Sequence, residues 1–127
     1  MRRQIGYVIA VALACEGEPT TPQQLAPCPV ETSVAITSSA TPTFSWIPHC
    51  GVHAVSVRDA NNPSDIRWSV TELAGGLVPS PIVYGQAPAG TTATAAGSLV
   101  PGTTYTVNVS FPAVGGFTVV QVGTVTP

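Results

Sequence analysis

The stretch Leu99-Val100-Pro101-Gly102-Thr103-Thr104-Tyr105-Thr106-Val107-Asn108-Val109-Ser110-Phe111 joins a turn signal to a regular alternation of residue types. Every second residue from Tyr105 to Phe111 is apolar, and polar residues stand between them. Because the side chains of a strand point alternately to opposite faces, this alternation predicts a strand with one buried face. Pro101 fixes φ and Gly102 tolerates positive φ, so the pair is typical of a tight turn before the strand.

Shorter segments with the same alternation lie on both sides of this stretch, separated by residues that favour turns. The predicted strands are 34–36, 44–46, 55–57, 66–70, 82–84, 93–99, 105–111 and 117–125, with a turn predicted over 59–65. No window of residues 30–127 spaces apolar residues as an amphipathic helix does. About seven short strands predict an all-β fold, a two-sheet antiparallel sandwich. The predicted core contains Phe44, Trp46, Val55, Val57, Ile66, Trp68, Leu99, Tyr105, Val107, Val109 and Val119.

The composition supports strands and excludes several classes of protein. The 127-residue chain is long enough for one domain and has 18 Val, 16 Thr and 6 Ile. Only 8% of its residues are charged, none is lysine, and the formal net charge is −2. This argues against helical bundles, charged disordered tails and nucleic-acid binders, which need a basic patch.

Two motifs resemble those of fibronectin type III domains. Members of that family share a motif in which a Leu is followed by Pro-Gly and then by a Tyr that opens a strand. Leu99, Pro101-Gly102 and Tyr105 have the spacing of this motif. Pro42-Thr43-Phe44-Ser45-Trp46 resembles the earlier strand that ends in the buried core Trp. The resemblance covers residues 30–127. It implies a tyrosine corner, in which the Tyr105 hydroxyl bonds a backbone group a few residues upstream.

Residues 1–14 have the layout of a signal peptide. Arg2 and Arg3 precede an apolar run over 5–14, which is shorter than the roughly 20 residues that span a bilayer. Small residues before Cys15 resemble a bacterial lipoprotein signal, whose Cys is acylated, although the family usually has Leu at the place of Ala12. An ordinary cleaved signal or a retained short anchor is the alternative. Residues 15–29 hold four prolines and are predicted to be an extended tether.

The chain has three cysteines, Cys15, Cys28 and Cys50. If Cys15 carries lipid, Cys28 and Cys50 remain to form a disulfide, which persists in an exported protein. That disulfide would join the tether to the loop after Trp46, a feature that most fibronectin type III domains lack. Pairing of Cys15 with either of the others stays open.

Few residues favour catalysis or a metal. His49, Cys50 and His53 are metal-ligating types, but a disulfide would remove Cys50, and two histidines alone make a poor site. Asp59, Asp65 and Glu72 could form a carboxylate pair, but such acids more often only solubilise a hairpin. We therefore predict no enzyme, no cofactor and no metal.

The expected function is that of a non-catalytic, lipid-anchored module of the outer membrane or cell surface, structural or protein-binding. This predicts an exposed apolar loop patch or an unpaired strand edge. A carbohydrate-binding module is the first alternative, with Tyr84 and Gln86 as speculative ligand contacts, and it requires an exposed Tyr84 or Trp68. A small secreted enzyme or metal carrier is the second, and it requires a free Cys50. The partner is either a protein or a glycan, besides the membrane that the lipid would enter.

Overall fold

The computed structural model describes residues 25–73 and 76–127, and these form eight strands and no helix. The β-branched and aromatic residues of the alternating segments favour this extended backbone. The strands are β1 (Val34–Ile36), β2 (Thr43–Trp46), β3 (Ala54–Asp59), β4 (Asn62–Glu72), β5 (Ile82–Val83), β6 (Thr91–Ala93), β7 (Tyr105–Ala113) and β8 (Gly116–Val125).

The strands form two antiparallel sheets, and the sequence prediction of an all-β sandwich is confirmed. One sheet has the order β1-β2-β5 and the other the order β6-β4-β3-β7-β8. Apolar side chains from both sheets form one core. The architecture is compatible with an immunoglobulin-like or fibronectin type III-like domain.

The strand β7 shows the predicted period of two most clearly. Its residues from Tyr105 to Pro112 are alternately buried and half-buried, with Tyr105, Val107, Val109 and Phe111 fully inside. The buried indole of Trp46 donates a hydrogen bond from Nε1 to the carbonyl of Cys50 at 2.9 Å. Of the eleven predicted core residues, all but Ile66 and Val119 are buried.

The predicted tyrosine corner is present. The hydroxyl of Tyr105 accepts a hydrogen bond from the backbone N–H of Val100 at 2.9 Å. Gly102, in the turn between these residues, has a φ of 85°, a conformation that glycine adopts without steric cost. The hydrogen bond therefore ties the turn to the buried ring of Tyr105.

The predictions for Ile66 and Val119 are wrong, and β-bulges explain both. Val57 pairs with Trp68 and Arg58 with Ile66, so Arg67 is an extra residue and Ile66 turns outward. On β8, Val107 pairs with Gly123 and Asn108 with Gln121, so Val122 is the extra residue. Each bulge reverses which residues face the core, and Ile66 and Val119 are 48% and 57% exposed.

Two predicted boundaries are also wrong. The expected turn over 59–65 is tighter, since Asp59 pairs with Asn62 and the latter already belongs to β4. The expected strand over 93–99 is instead the short β6, which ends at Ala93. After it, Thr94 and Gly97 donate single hydrogen bonds to the carbonyls of Ser69 and Arg67, which are too few to form a continuous ladder.

Cys28 and Cys50 form a disulfide that lies inside the core. Backbone hydrogen bonds of 2.8 Å join Cys28 N to the carbonyl of Gly51, and Gly51 N to the carbonyl of Ala26. A side chain at Gly51 would overlap Leu77, so glycine permits this close approach. The last residues of the predicted tether are therefore attached to the loop between β2 and β3.

Candidate functional site

The outer edge of β8 is the most distinctive surface of the described residues. β8 is the last strand of its sheet, and no described strand pairs with its outer side. Its ten residues include no charge and no proline, two of the devices that commonly block an edge strand, and its one such device is the bulge at Val122. β1 of the other sheet lies beside the Gly123 end of β8, with Ile36 next to Gly123. The outward-pointing backbone groups open to another strand are therefore those nearer the turn that precedes Phe117.

Exposed apolar side chains lie on and beside this edge. Phe117 and Val119 are 53% and 57% exposed, and their side chains share one face because they are two residues apart. Val114, in the two-residue turn between β7 and β8, is fully exposed. Gly115 takes a φ of 79° in this turn. We call Val114, Phe117, Val119 and the free side of the strand the β8 edge.

A histidine and a carboxylate meet next to the β8 edge. The Nδ1 atom of His53, just before β3, is in hydrogen-bonding contact with Oε2 of Glu72, the last residue of β4. The imidazole stacks on Phe117, with ring centroids 4.5 Å apart and an angle of 14° between the planes. The contact with Glu72 fixes the orientation of the imidazole, and the stacking in turn holds Phe117 against the sheet end.

The other metal-ligating residues named from the sequence do not join this pair. Cys50 is consumed by the disulfide, and His49 is exposed. Among residues 25–73 and 76–127, no three His, Cys, Asp or Glu side chains lie close enough together to hold a metal ion. Asp65 pairs instead with Arg67, with Oδ2 and Nη2 3.2 Å apart, and Asp59 accepts a hydrogen bond from Asn61 N.

Tyr84 lies within the core rather than in an open loop. Its ring is tilted against that of Trp68, with centroids 5.2 Å apart, and only 6% of the residue is exposed. Its hydroxyl donates to the carbonyl of Gly97 at 2.5 Å. The pKa of Tyr84 is raised above its ordinary value, mainly because the phenol is buried. The charge of Arg67 partly offsets this rise, and Tyr105 adds to it. With Trp68 fully buried too, neither ring offers the flat face that the carbohydrate alternative requires.

Gln86, the other speculative ligand contact, is exposed in the turn after β5. Its backbone N–H donates to the carbonyl of Val83 at 3.0 Å. A binding role for its side chain stays a prediction.

A polar groove lies on the outer face of the five-stranded sheet. Its floor is formed by Arg58 of β3, Thr106 and Asn108 of β7, and Gln121 of β8. Arg58 and Thr106 are register partners, and so are Asn108 and Gln121. Ala60, Pro63 and Val119 complete its lining. We call this the Arg58 groove.

Sequence reasoning missed both the His53–Glu72 pair and the Arg58 groove. The alternation on β7 places Thr106 and Asn108 on the outer face, and the alternation on β3 does the same for Arg58. Which strand lies beside which, however, is decided by the sheet order, and period-two patterns do not encode it. Glu72 is 19 residues from His53, and no local motif connects them.

Cys15 and the predicted signal over 1–14 lie outside the described residues. In the part of the chain that the structure covers, no helix is long and apolar enough to cross a membrane. No family model, curated protein or solved structure matches this chain.

Proposed function

We propose that the chain is a non-catalytic lipoprotein of the bacterial cell envelope whose β-sandwich binds a partner protein through the β8 edge. The partner contributes an extended segment that pairs with β8 as an additional strand. The observation that carries this proposal is the long, uncharged β8, which pairs with β7 on one side only and carries the exposed Phe117 and Val119.

Strand addition suits this edge for a physical reason. Main-chain hydrogen bonds supply the affinity, and alternate side chains of the added strand supply the specificity. Phe117 and Val119 provide an apolar strip that a partner strand with apolar residues at alternate positions would cover. Natural proteins usually protect such an edge with Lys, Pro, a bulge or a covering loop. β8 has no Lys and no Pro, and its bulge at Val122 lies away from Phe117 and Val119.

A binding role is also favoured over catalysis by the chemistry of the described residues. The His53 side chain forms its hydrogen bond with Glu72, and no described Ser, Thr or Cys side chain is bonded to the imidazole as a nucleophile would be.

We also infer that the sandwich is a fibronectin type III-like domain and that Cys15 is its lipidated first residue. The hydrogen bond between Tyr105 and Val100 and the buried Trp46 support the first inference. The basic start, the apolar run and the small residues before Cys15 support the second. Two acyl chains would give stable anchoring, which one chain alone does not.

Site-specific photocrosslinking in native cells tests the β8 edge. A photoreactive phenylalanine analogue replaces Phe117 in the full-length protein, and a matched variant carries it at Ile66, which is about as exposed and lies on β4. We expect ultraviolet light to give one discrete protein adduct from position 117 and none from position 66.

A second variant separates strand addition from nonspecific contact. Thr118→Lys places a charge on β8 beside the crosslinking position, and we expect it to abolish the adduct at position 117. The proposal is contradicted if position 117 gives no adduct, or if positions 117 and 66 give the same set of products.

A further inference from the structure

Arg58 has hydrogen-bonding capacity that the described residues leave unused. A guanidinium carries five N–H donors. Nη1 donates to the carbonyl of Pro63 at 3.3 Å, whereas Nε is shielded from solvent and has no partner among the described residues. The ion pairs of this part of the chain are His53–Glu72 and Arg67–Asp65, so neither involves Arg58. Arg58 is therefore a partly buried cation without a carboxylate partner in the described structure.

The neighbouring side chains of the Arg58 groove are unused in the same way. The amides of Asn108 and Gln121 make no hydrogen bond to another described residue. They are register partners on β7 and β8, so their Cβ atoms lie about 5 Å apart. On β3 the register partner of Asn108 is Ser56, whereas Arg58 pairs with Thr106, so Arg58 lies one diagonal step from Asn108 on the same face. A cation and two amides thus line one groove, each with donors available to a ligand.

The residues around the groove define the chemistry of such a ligand. The fork of a guanidinium matches a carboxylate in a bidentate arrangement. Amide side chains donate to and accept from hydroxyl groups. The apolar atoms of Pro63 and Val119 are suited to the C–H face of a sugar ring.

We propose that the Arg58 groove binds an acidic oligosaccharide through the carboxylate of a uronic acid unit. Arg58 holds the carboxylate, Asn108 and Gln121 bind ring hydroxyls, and Val119 contacts the apolar side of the ring. Recognition here depends on charge and hydrogen bonds, and not on the aromatic stacking for which Tyr84 and Trp68 are too buried. The proposal goes beyond the binding of a protein at the β8 edge and does not rest on it, although the two surfaces share Val119.

Calorimetric titration of the full-length chain with oligogalacturonate tests this site. A neutral galactose oligosaccharide of equal length serves as the matched ligand, and sodium acetate serves as the bare carboxylate. We expect saturable binding of oligogalacturonate, with an affinity at least tenfold above that for either comparison ligand. Amide and guanidinium NMR signals of Arg58, Asn108 and Gln121 should shift during the titration.

Two variants and one control assign the binding to the groove. Arg58→Gln and Gln121→Ala should each weaken binding at least fivefold, while their NMR spectra report an intact fold. Arg67→Gln removes the same charge from the arginine that pairs with Asp65, and it should change affinity less than twofold.

Several outcomes overturn the proposal. Equal affinity for the neutral oligosaccharide would show that the carboxylate is not recognised, and equal affinity for acetate would show an adventitious ion only. An equal loss in Arg67→Gln would mean that net charge alone attracts the ligand. Loss of crosslinking at position 117 with retained oligogalacturonate binding would count against the protein-binding proposal and leave this one standing.

Discussion

Tyr105 connects the turn, the core and the strand β7 through a single side chain. Its ring is fully buried, and its hydroxyl accepts the N–H of Val100. Removing that hydroxyl leaves the N–H without its acceptor, at a cost of about 1 kcal/mol. We expect Tyr105→Phe to lower the free energy of unfolding by about that amount, measured by urea denaturation.

A larger substitution provides the comparison for this hydrogen bond. Tyr105→Ala removes the buried ring as well and should cost about 3–5 kcal/mol. If Tyr105→Phe were as stable as the parent chain, the corner would not contribute to the stability of the fold.

Tyr84 gives the protein a predictable response to alkaline pH. Burial raises its folded pKa above the unfolded value of 10.0. The neutral phenol is therefore favoured in the folded chain, and the stabilisation is fully present below pH 10.0. This stabilisation is lost as the pH rises above 10.0 and passes the higher pKa that Tyr84 has in the folded chain. The chain has no lysine, so no lysine contributes to the pH dependence in this range.

Urea denaturation at a series of alkaline pH values measures this effect. The free energy of unfolding should fall above pH 10.0 in the parent chain and fall less steeply in Tyr84→Phe. Identical slopes in the two proteins would show that Tyr84 is not responsible.

At the scale of elements, the bulge on β8 decides which side chains face the core. Val119 and Val120 are adjacent in sequence, but Val119 is exposed, whereas Val120 packs against the core. Val119→Asp should change the free energy of unfolding by no more than about 0.5 kcal/mol. Val120→Asp brings a charge against apolar side chains and should cost about 2 kcal/mol or more. The reverse ranking in urea denaturation would contradict the register of β7 and β8.

The bulges also mark the limit of what the sequence predicts. Period-two alternation correctly identified the all-β fold, seven of the eight strands in outline and nine core residues, because burial of one face imposes that pattern directly. It failed at Ile66 and Val119, since an extra residue in a bulge depends on the partner strand and not on local composition. The same limit applies to the candidate site. The β8 edge and the Arg58 groove exist because of the sheet order, which the alternation within one strand cannot reveal.

At the scale of the whole molecule, the disulfide joins the N-terminal tether to the sandwich. Cys28 and Cys50 are 22 residues apart in sequence, and a crosslink that closes a loop of this size stabilises a domain by about 3 kcal/mol. The double variant Cys28→Ala/Cys50→Ala should lose about that amount in urea denaturation.

Reduction provides the matched control for this variant. Dithiothreitol should destabilise the parent chain to a similar extent and leave the double variant unchanged. Equal stability of the reduced and oxidised parent chain would contradict the predicted contribution of the disulfide.

We propose that the protein is exported, anchored through Cys15 and crosslinked between its tether and its sandwich by the disulfide of Cys28 and Cys50. Intact-mass spectrometry of the protein extracted from native membranes, with and without reduction, tests all three parts together. We predict a chain that begins at Cys15, carries the added mass of acyl groups there and gains two hydrogens on reduction. A mass that still includes residues 1–14, that lacks lipid or that does not change on reduction would contradict the claim.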